Sequence, residues 1–407
     1  MVRRQGRRDV KSRKGSVFSA NVAIVLAVVA AGADLVGPRA PDAELVGPPR
    51  PESMQTAAVP SPPEDALLPP WGPLEFLGEE IDPGEKRRLF LRASESFAGS
   101  GIDIPALVVR GAARGPTLCL TAGVHGDELN GIEIVRRVFE ETKTLELQGM
   151  LLGYPVVNLH GFRASSRYLP DRRDLNRYFP GNPHGSSASR VANAVFRTLA
   201  EVCDALVDFH TGSFHRTNLP QIRADLSDGR VLALAQAFGV GVVVHSYGMR
   251  GTLRRSATEA DLPAITYEAG EPMRFAQQEI AYGVEGLRNL MASLGMLARD
   301  PPGEAAEVYR RSRWVRVNDG GIFLTARQVG EFVEEGDLLG TVTDPVTNDR
   351  ATLRAPFDGR IIGMALPQVV IPGFATFHLG VRERNGDEGS GEETLSPDQL
   401  DAVEEPE

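Results

Sequence analysis

From Leu118 to Leu294, short apolar runs alternate with segments of helical periodicity, and several runs stop abruptly in a polar residue. Few folds accommodate that alternation: an α/β sheet covered by helices, with ligands gathered at the carboxyl ends of the strands. The spacing predicts strands at 89–97, 102–110, 118–124, 151–159, 205–209, 240–245 and 264–267. It predicts helices at 133–142, 187–202, 231–238 and 275–294.

The sharpest case is residues 117–131, where the apolar run ends in His125-Gly126-Asp127-Glu128 and a helix-like pattern starts at once. In the first turn of a helix, His125 and Glu128 would lie on one side. Imidazole and carboxylate suit Zn²⁺, whose hydrolytic sites use three protein ligands and keep one position for water. The segment Asp208-Phe209-His210-Thr211-Gly212 repeats the pattern, which makes His210 the best third ligand. Asp208 shares a strand face with His210 and can orient its imidazole. Glu268 ends another apolar run, where an unpaired carboxylate is costly to bury. As a general base it would take a proton from an attacking water and pass it to a leaving amine. The loop Asp174 to Gly181 follows Arg163, Arg167, Arg172 and Arg173. Within it, Asn176 offers an uncharged donor and Arg177 a planar fork, a pair suited to a carboxylate or an oxyanion.

Together His125-Gly-Asp-Glu128, Asp174-Leu-Asn-Arg-Tyr-Phe-Pro-Gly181, Asp208-Phe-His210 and Glu268-Ala-Gly resemble the succinylglutamate desuccinylase/aspartoacylase family, relatives of the zinc carboxypeptidases. The likeness spans roughly residues 85–382. It implies a carboxypeptidase-like αβα sandwich with a mixed sheet, followed by a small C-terminal all-β (barrel-sandwich-like) domain. It also implies one Zn²⁺ on His125, Glu128 and His210, with Glu268 as base and Arg167 polarising the scissile carbonyl. Asn176 and Arg177 would bind a substrate carboxylate. Arg254 falls near a further family substrate-binding arginine, with Arg255 competing for the role. The implied activity is hydrolysis of the amide of a small N-acyl amino acid or related acylated amine. Asp127 stands where the family often has asparagine.

The rest of the chain frames this reading. Its 407 residues, 42% hydrophobic and 24% charged, can hold one large and one small domain. A net charge of −10 leaves no basic surplus for nucleic acid. Residues 1–35 combine a basic block with the uncharged stretch Gly15 to Ala33, ending Ala31-Gly32-Ala33. That is the form of a secretory signal, or of an uncleaved anchor, and it places the protein outside the cytoplasm. Residues 36–73 are a proline-dense linker, 74–300 the catalytic domain, 301–384 the β domain and 385–407 an acidic tail. The β domain has a biotinyl/lipoyl-like pattern but no lysine, so it carries no swinging cofactor; shaping substrate access or forming a homo-oligomer are the roles left to it. Cys119 and Cys203 read as buried small hydrophobes, although neighbouring strands could bring them close enough to pair in an oxidising compartment. Two other functions stay open here: a carboxypeptidase or amidase acting on peptides or cell-wall stem peptides, and a tethered zinc-binding scaffold without activity.

Overall fold

The computed structural model describes residues 71–95, 101–300 and 306–381. The signal or anchor, most of the linker and the acidic tail lie outside the described residues. Among those described, no helix is long and apolar enough to cross a membrane.

In chain order the first elements are β1 (Leu74–Phe76), β2 (Glu79–Ile81), β3 (Lys86–Glu95), β4 (Gly101–Arg110) and β5 (Ala113–Ala122). Then come α1 (Asn130–Glu141), β6 (Gln148–Tyr154), α2 (Leu159–Ala164), a 3₁₀ turn at Leu175–Arg177 and α3 (Ser187–Val202). They are followed by β7 (Ala205–His210), β8 (Arg216–Ala224), α4 (Gly229–Phe238), β9 (Val242–His245), α5 (Leu253–Glu259), β10 (Ala264–Gly270) and α6 (Gln277–Ser293). The C-terminal region is all β: β11 (Glu307–Tyr309), β12 (Ser312–Arg316), β13 (Gly321–Thr325), β14 (Phe332–Val333), β15 (Leu338–Thr343), β16 (Arg350–Arg354), β17 (Gly359–Ala365), β18 (Gln368–Val370) and β19 (Ala375–Val381).

Strand β5 shows why the middle of the chain becomes a two-sided sheet. Leu118, Leu120 and Ala122 join one apolar cluster with residues of α1, α4 and α6. Cys119, between them, joins another with residues of α3 and α5. With period 2 and both faces apolar, the strand must be covered by helices on each side. Helix α3 supplies such a cover, its buried Ala188, Val191, Ala192, Val195, Phe196 and Leu199 recurring at helical spacing. The Ser186 side chain accepts from the Ser189 amide at its start, a cap worth about 1 kcal/mol.

The main sheet runs β12-β19-β17-β8-β10-β7-β5-β6-β4-β3. Strands β6, β5, β7 and β10 are parallel neighbours, and β8 closes antiparallel on β10. Strand β8 then changes partner along its other edge. Its first residues pair with β17, up to Asn218, and its last with β9, from Gln221. Pro220 lies between, where neither ladder needs an amide, which is how a proline fits inside the sheet. Through β8 the C-terminal antiparallel strands continue the main sheet. A second sheet, β16-β15-β13-β18, covers them over a core of Phe323, Leu339, Val342, Ile361, Phe377 and Leu379.

Besides the unpredicted strand β8 and a β6 that ends at Tyr154, short of the expected 159, two findings depart from the sequence expectations. Helix α1 begins at Asn130, so His125 and Glu128 sit in the turn before it, closed by the Glu128 amide on the His125 carbonyl at 3.3 Å. Cys119 and Cys203 are joined as a disulfide, with Cα atoms 5.8 Å apart. The segment β6–α3 returns the chain to the start of β7, beside β5, and that return brings the two residues together.

Candidate metal centre and active site

Cross-strand register gathers the polar strand ends. Thr121 of β5 and Thr266 of β10 both stand opposite Asp208 of β7, and Glu268 stands opposite His210. The turn after β5 adds His125 and Glu128. Gly126 is required in that turn, because a Cβ there would come 2.0 Å from the carbonyl carbon of Gly161 in α2.

His125, Glu128 and His210 are all buried, and their ligating atoms lie within 4.8 Å of one another. Nδ1 of His125 is 2.8 Å from Glu128 Oε1, and Nδ1 of His210 is 2.8 Å from Glu128 Oε2. The opposite ring nitrogens are held by aspartates, His125 Nε2 by Asp174 at 3.0 Å and His210 Nε2 by Asp208 at 2.9 Å. Asp208 is itself fixed by the Thr121 hydroxyl at 2.6 Å. Both imidazoles therefore turn Nδ1 to the common centre, each with an outer carboxylate, the arrangement that fixes tautomer and raises ligand basicity in metal sites. Burial alone would raise the Glu128 carboxyl, but the imidazoles of His125 and His210 outweigh it and hold it well below the usual carboxylate range. Asp174 follows the same logic: burial pushes it up, and His125 with Arg167 brings it down further than burial raised it. Three carboxylates around two imidazoles form a pocket built for positive charge, and this donor set fits a divalent metal.

A cleft open to solvent surrounds the centre. Its walls include every residue singled out in the sequence for the site: His125, Glu128, Arg167, Asn176, Arg177, His210, Arg254 and Glu268. Arg167 donates to Glu128 Oε1 at 3.1 Å and to Asp174 Oδ2 at 2.8 Å. Asn176 accepts from the Leu253 amide at 2.9 Å, so its side-chain oxygen caps α5, the helix that carries Arg254. Arg254 donates to the Ser246 carbonyl and hydroxyl and lines the cleft, whereas Arg255 turns to Glu259 and the Gly248 carbonyl. Gly251, at φ 85°, lets the α5 loop press on the Arg177 carbonyl oxygen, which a Cβ would approach to 2.5 Å.

Sequence reasoning missed the partners of Glu268. Asn218 Nδ2 donates to Glu268 Oε2 at 2.7 Å, and Arg223 Nη2 lies 3.2 Å from the same oxygen. Both come from β8, which carries no apolar alternation to reveal it. The available signal was polar residues two apart, Arg216 and Asn218. The other histidines stand outside this cluster. His245 accepts from the Leu226 amide, and His378 stacks on Trp314.

Residues 114–294 match the succinylglutamate desuccinylase/aspartoacylase catalytic domain. The catalytic segment belongs to this family. It is accordingly a hydrolase of carbon–nitrogen amide bonds. A curated relative from Halomonas elongata, N-alpha-acetyl-L-2,4-diaminobutyric acid deacetylase, is 26% identical over 293 residues, 68% of this chain and 85% of that protein. Two solved structures superpose with a TM-score of 0.67. One is a succinylglutamate desuccinylase/aspartoacylase from Rhodobacter sphaeroides, 26% identical, covering 75% of this chain and 98% of that one. The other is the product-bound ectoine utilization protein EutE of Ruegeria pomeroyi, 27% identical, covering 73% and 95%. Their likeness reaches beyond the catalytic segment and agrees with the mixed α/β sheet and C-terminal all-β region described above.

Proposed function

We propose that this desuccinylase/aspartoacylase-family protein is an exported, zinc-dependent deacylase that cleaves the amide of a small N-acyl amino acid or related acylated amine. The observation that carries the proposal is convergence. A His–Glu–His donor set, a carboxylate and four arginines (Arg167, Arg177, Arg223 and Arg254) face one cleft. Zinc held by His125, Glu128 and His210 would act as a Lewis acid on the scissile carbonyl and ease ionisation of the attacking water. Glu268, held by Asn218 and Arg223, takes the proton from that water and delivers it to the departing amine. Arg167, fixed in the plane of its two carboxylate contacts, offers a cation where negative charge develops on the carbonyl oxygen. Arg177 and Arg254 line the same cleft and suit a substrate carboxylate.

Because a similar protein deacetylates an N-acetylated diamino acid, such compounds head the substrate panel. Export is supported by the basic block and uncharged run of residues 3–33 and by the Cys119–Cys203 bond, a kind of linkage that belongs to oxidising compartments. The test is metal analysis of the purified protein with hydrolysis of an N-acyl amino acid panel and of peptides. One zinc per chain, release of free acid, and a Glu268→Gln variant slowed by about 100-fold or more are expected. Folded protein that binds no zinc, an unimpaired Glu268→Gln variant, or release of C-terminal residues alone would overturn the proposal.

A further inference from the structure

The turn that follows metal-ligand candidate His210 has an unfavourable backbone. Its four residues are Ser213, Phe214, His215 and Arg216, closed by the Arg216 amide on the Ser213 carbonyl at 3.1 Å. Both central residues have positive φ, 51° at Phe214 and 56° at His215. Two consecutive positive values mark a type I′ turn, whose central positions favour Asn-Gly because a Cβ is strained there. Bulky aromatic residues hold such a conformation only where the surroundings over-determine it.

The surroundings here come from the C-terminal all-β region and from the site itself. The His215 carbonyl accepts from the Leu366 amide at 2.8 Å, in the connection between β17 and β18, and from Gln368 Nε2 at 3.0 Å, at the start of β18. The Arg216 side chain, just past the turn, donates to the Ala375 carbonyl at 3.0 Å. On the other side, the Phe214 ring lies under the Arg167 guanidinium, 5.1 Å from Cζ to the ring centroid. Hydrogen bonds to Glu128 and Asp174 fix that guanidinium within its own plane. They leave its tilt to whatever meets the flat face, and an aromatic ring is the partner suited to it.

We propose that the Ser213–Arg216 turn is a positioning device for Arg167. The Phe214 ring sets the tilt of the guanidinium, and the C-terminal region, through Leu366 and Gln368, clamps the turn in the conformation that puts the ring there. The proposal rests on the deacylase reading, in which Arg167 stabilises the developing oxyanion. It gives the C-terminal strands a part in catalysis although they contribute no wall residue to the cleft.

The experiment compares Phe214→Leu, Phe214→Tyr, Gln368→Ala and the pair Phe214→Asn/His215→Gly with the wild type, for kcat, KM, bound zinc and melting temperature. Phe214→Leu should lower kcat about 3- to 30-fold, with zinc content unchanged, and Phe214→Tyr should restore it. Gln368→Ala should shift kcat in the same direction. The Phe214→Asn/His215→Gly pair should melt at a higher temperature yet lose kcat as Phe214→Leu does; if it is more stable and fully active, the turn is merely structural and the proposal falls. In an Arg167→Gln background Phe214→Leu should cost nothing further, and an undiminished penalty there would also overturn it. Should the wild type hydrolyse nothing, the deacylase reading fails by itself. The brace is then judged by urea unfolding, where coupled effects of Phe214→Leu and Arg167→Gln support it and additive effects refute it.

Discussion

Reduction of the Cys119–Cys203 bond gives a quantitative test of how the substrate-binding segment is held. The bond joins β5 to the residue after α3, across 84 positions of sequence. The closed loop contains Arg167, Asp174, Asn176 and Arg177, so it restrains two of the four arginines that line the cleft. Cross-linking a chain over that separation removes roughly 15 cal/mol/K from the unfolded ensemble, or about 4–5 kcal/mol at 25 °C. Unfolding entropy is about 2.1 cal/mol/K per residue, so for a folded unit of roughly 300 residues this corresponds to a melting shift of about 7 °C. The assay is urea and thermal unfolding of oxidised and reduced wild-type protein, with thiol titration to verify reduction. The paired Cys119→Ala/Cys203→Ala variant is the control and should melt near the reduced protein, indifferent to reductant. If fully reduced protein unfolds at the same urea concentration as oxidised protein, the bond does not restrain this loop. Arg167 and Arg177 are then held in the cleft by packing and hydrogen bonds alone.

Three further perturbations probe the site. Asp208→Asn leaves a similar shape but removes the charge that holds His210 Nε2; it should weaken metal affinity about 10- to 100-fold in chelator competition, and unchanged affinity would mean that Asp208 does not orient the ligand. Gly251→Ala puts a Cβ 2.5 Å from the Arg177 carbonyl oxygen and should lower kcat/KM by about 10- to 100-fold, mainly through KM, with zinc retained; loss of zinc instead would show that the damage is not local. Burial pushes the Tyr154 phenol up to about 12, against the opposing hydrogen bond with Thr198. Its folded value lies above its unfolded value of about 10, so its stabilisation is complete below that pH and is lost as pH rises towards the folded value. Tyr154→Phe should therefore flatten the alkaline limb of the stability profile by about 2–3 kcal/mol, and equal slopes in urea titrations at pH 9 to 12 would refute this.

Much of the site was legible because a polar residue that ends an apolar strand is conspicuous. His125, His210 and Glu268 each close such a run, and burying such groups is costly unless something uses them. Arg254 could be separated from Arg255 only by the packing of α5, which turns one side chain into the cleft and the other toward Glu259. Strand β8 was not legible. Arg216, Asn218 and Gln221 are buried polar residues, and Pro220 interrupts them, so neither hydrophobic period nor strand propensity marks the segment.

The sequence by itself determined the layered α/β architecture and which polar groups stand at strand ends, because side-chain periodicity and burial cost are local properties of the chain. Tertiary structure alone decided three things: the pairing of Cys119 with Cys203, the support of Glu268 by Asn218 and Arg223, and the clamp of the C-terminal strands on the turn below Arg167. Each depends on contacts between segments distant in sequence, which are set by the packing of the whole sheet and leave no periodic trace in the segments that meet.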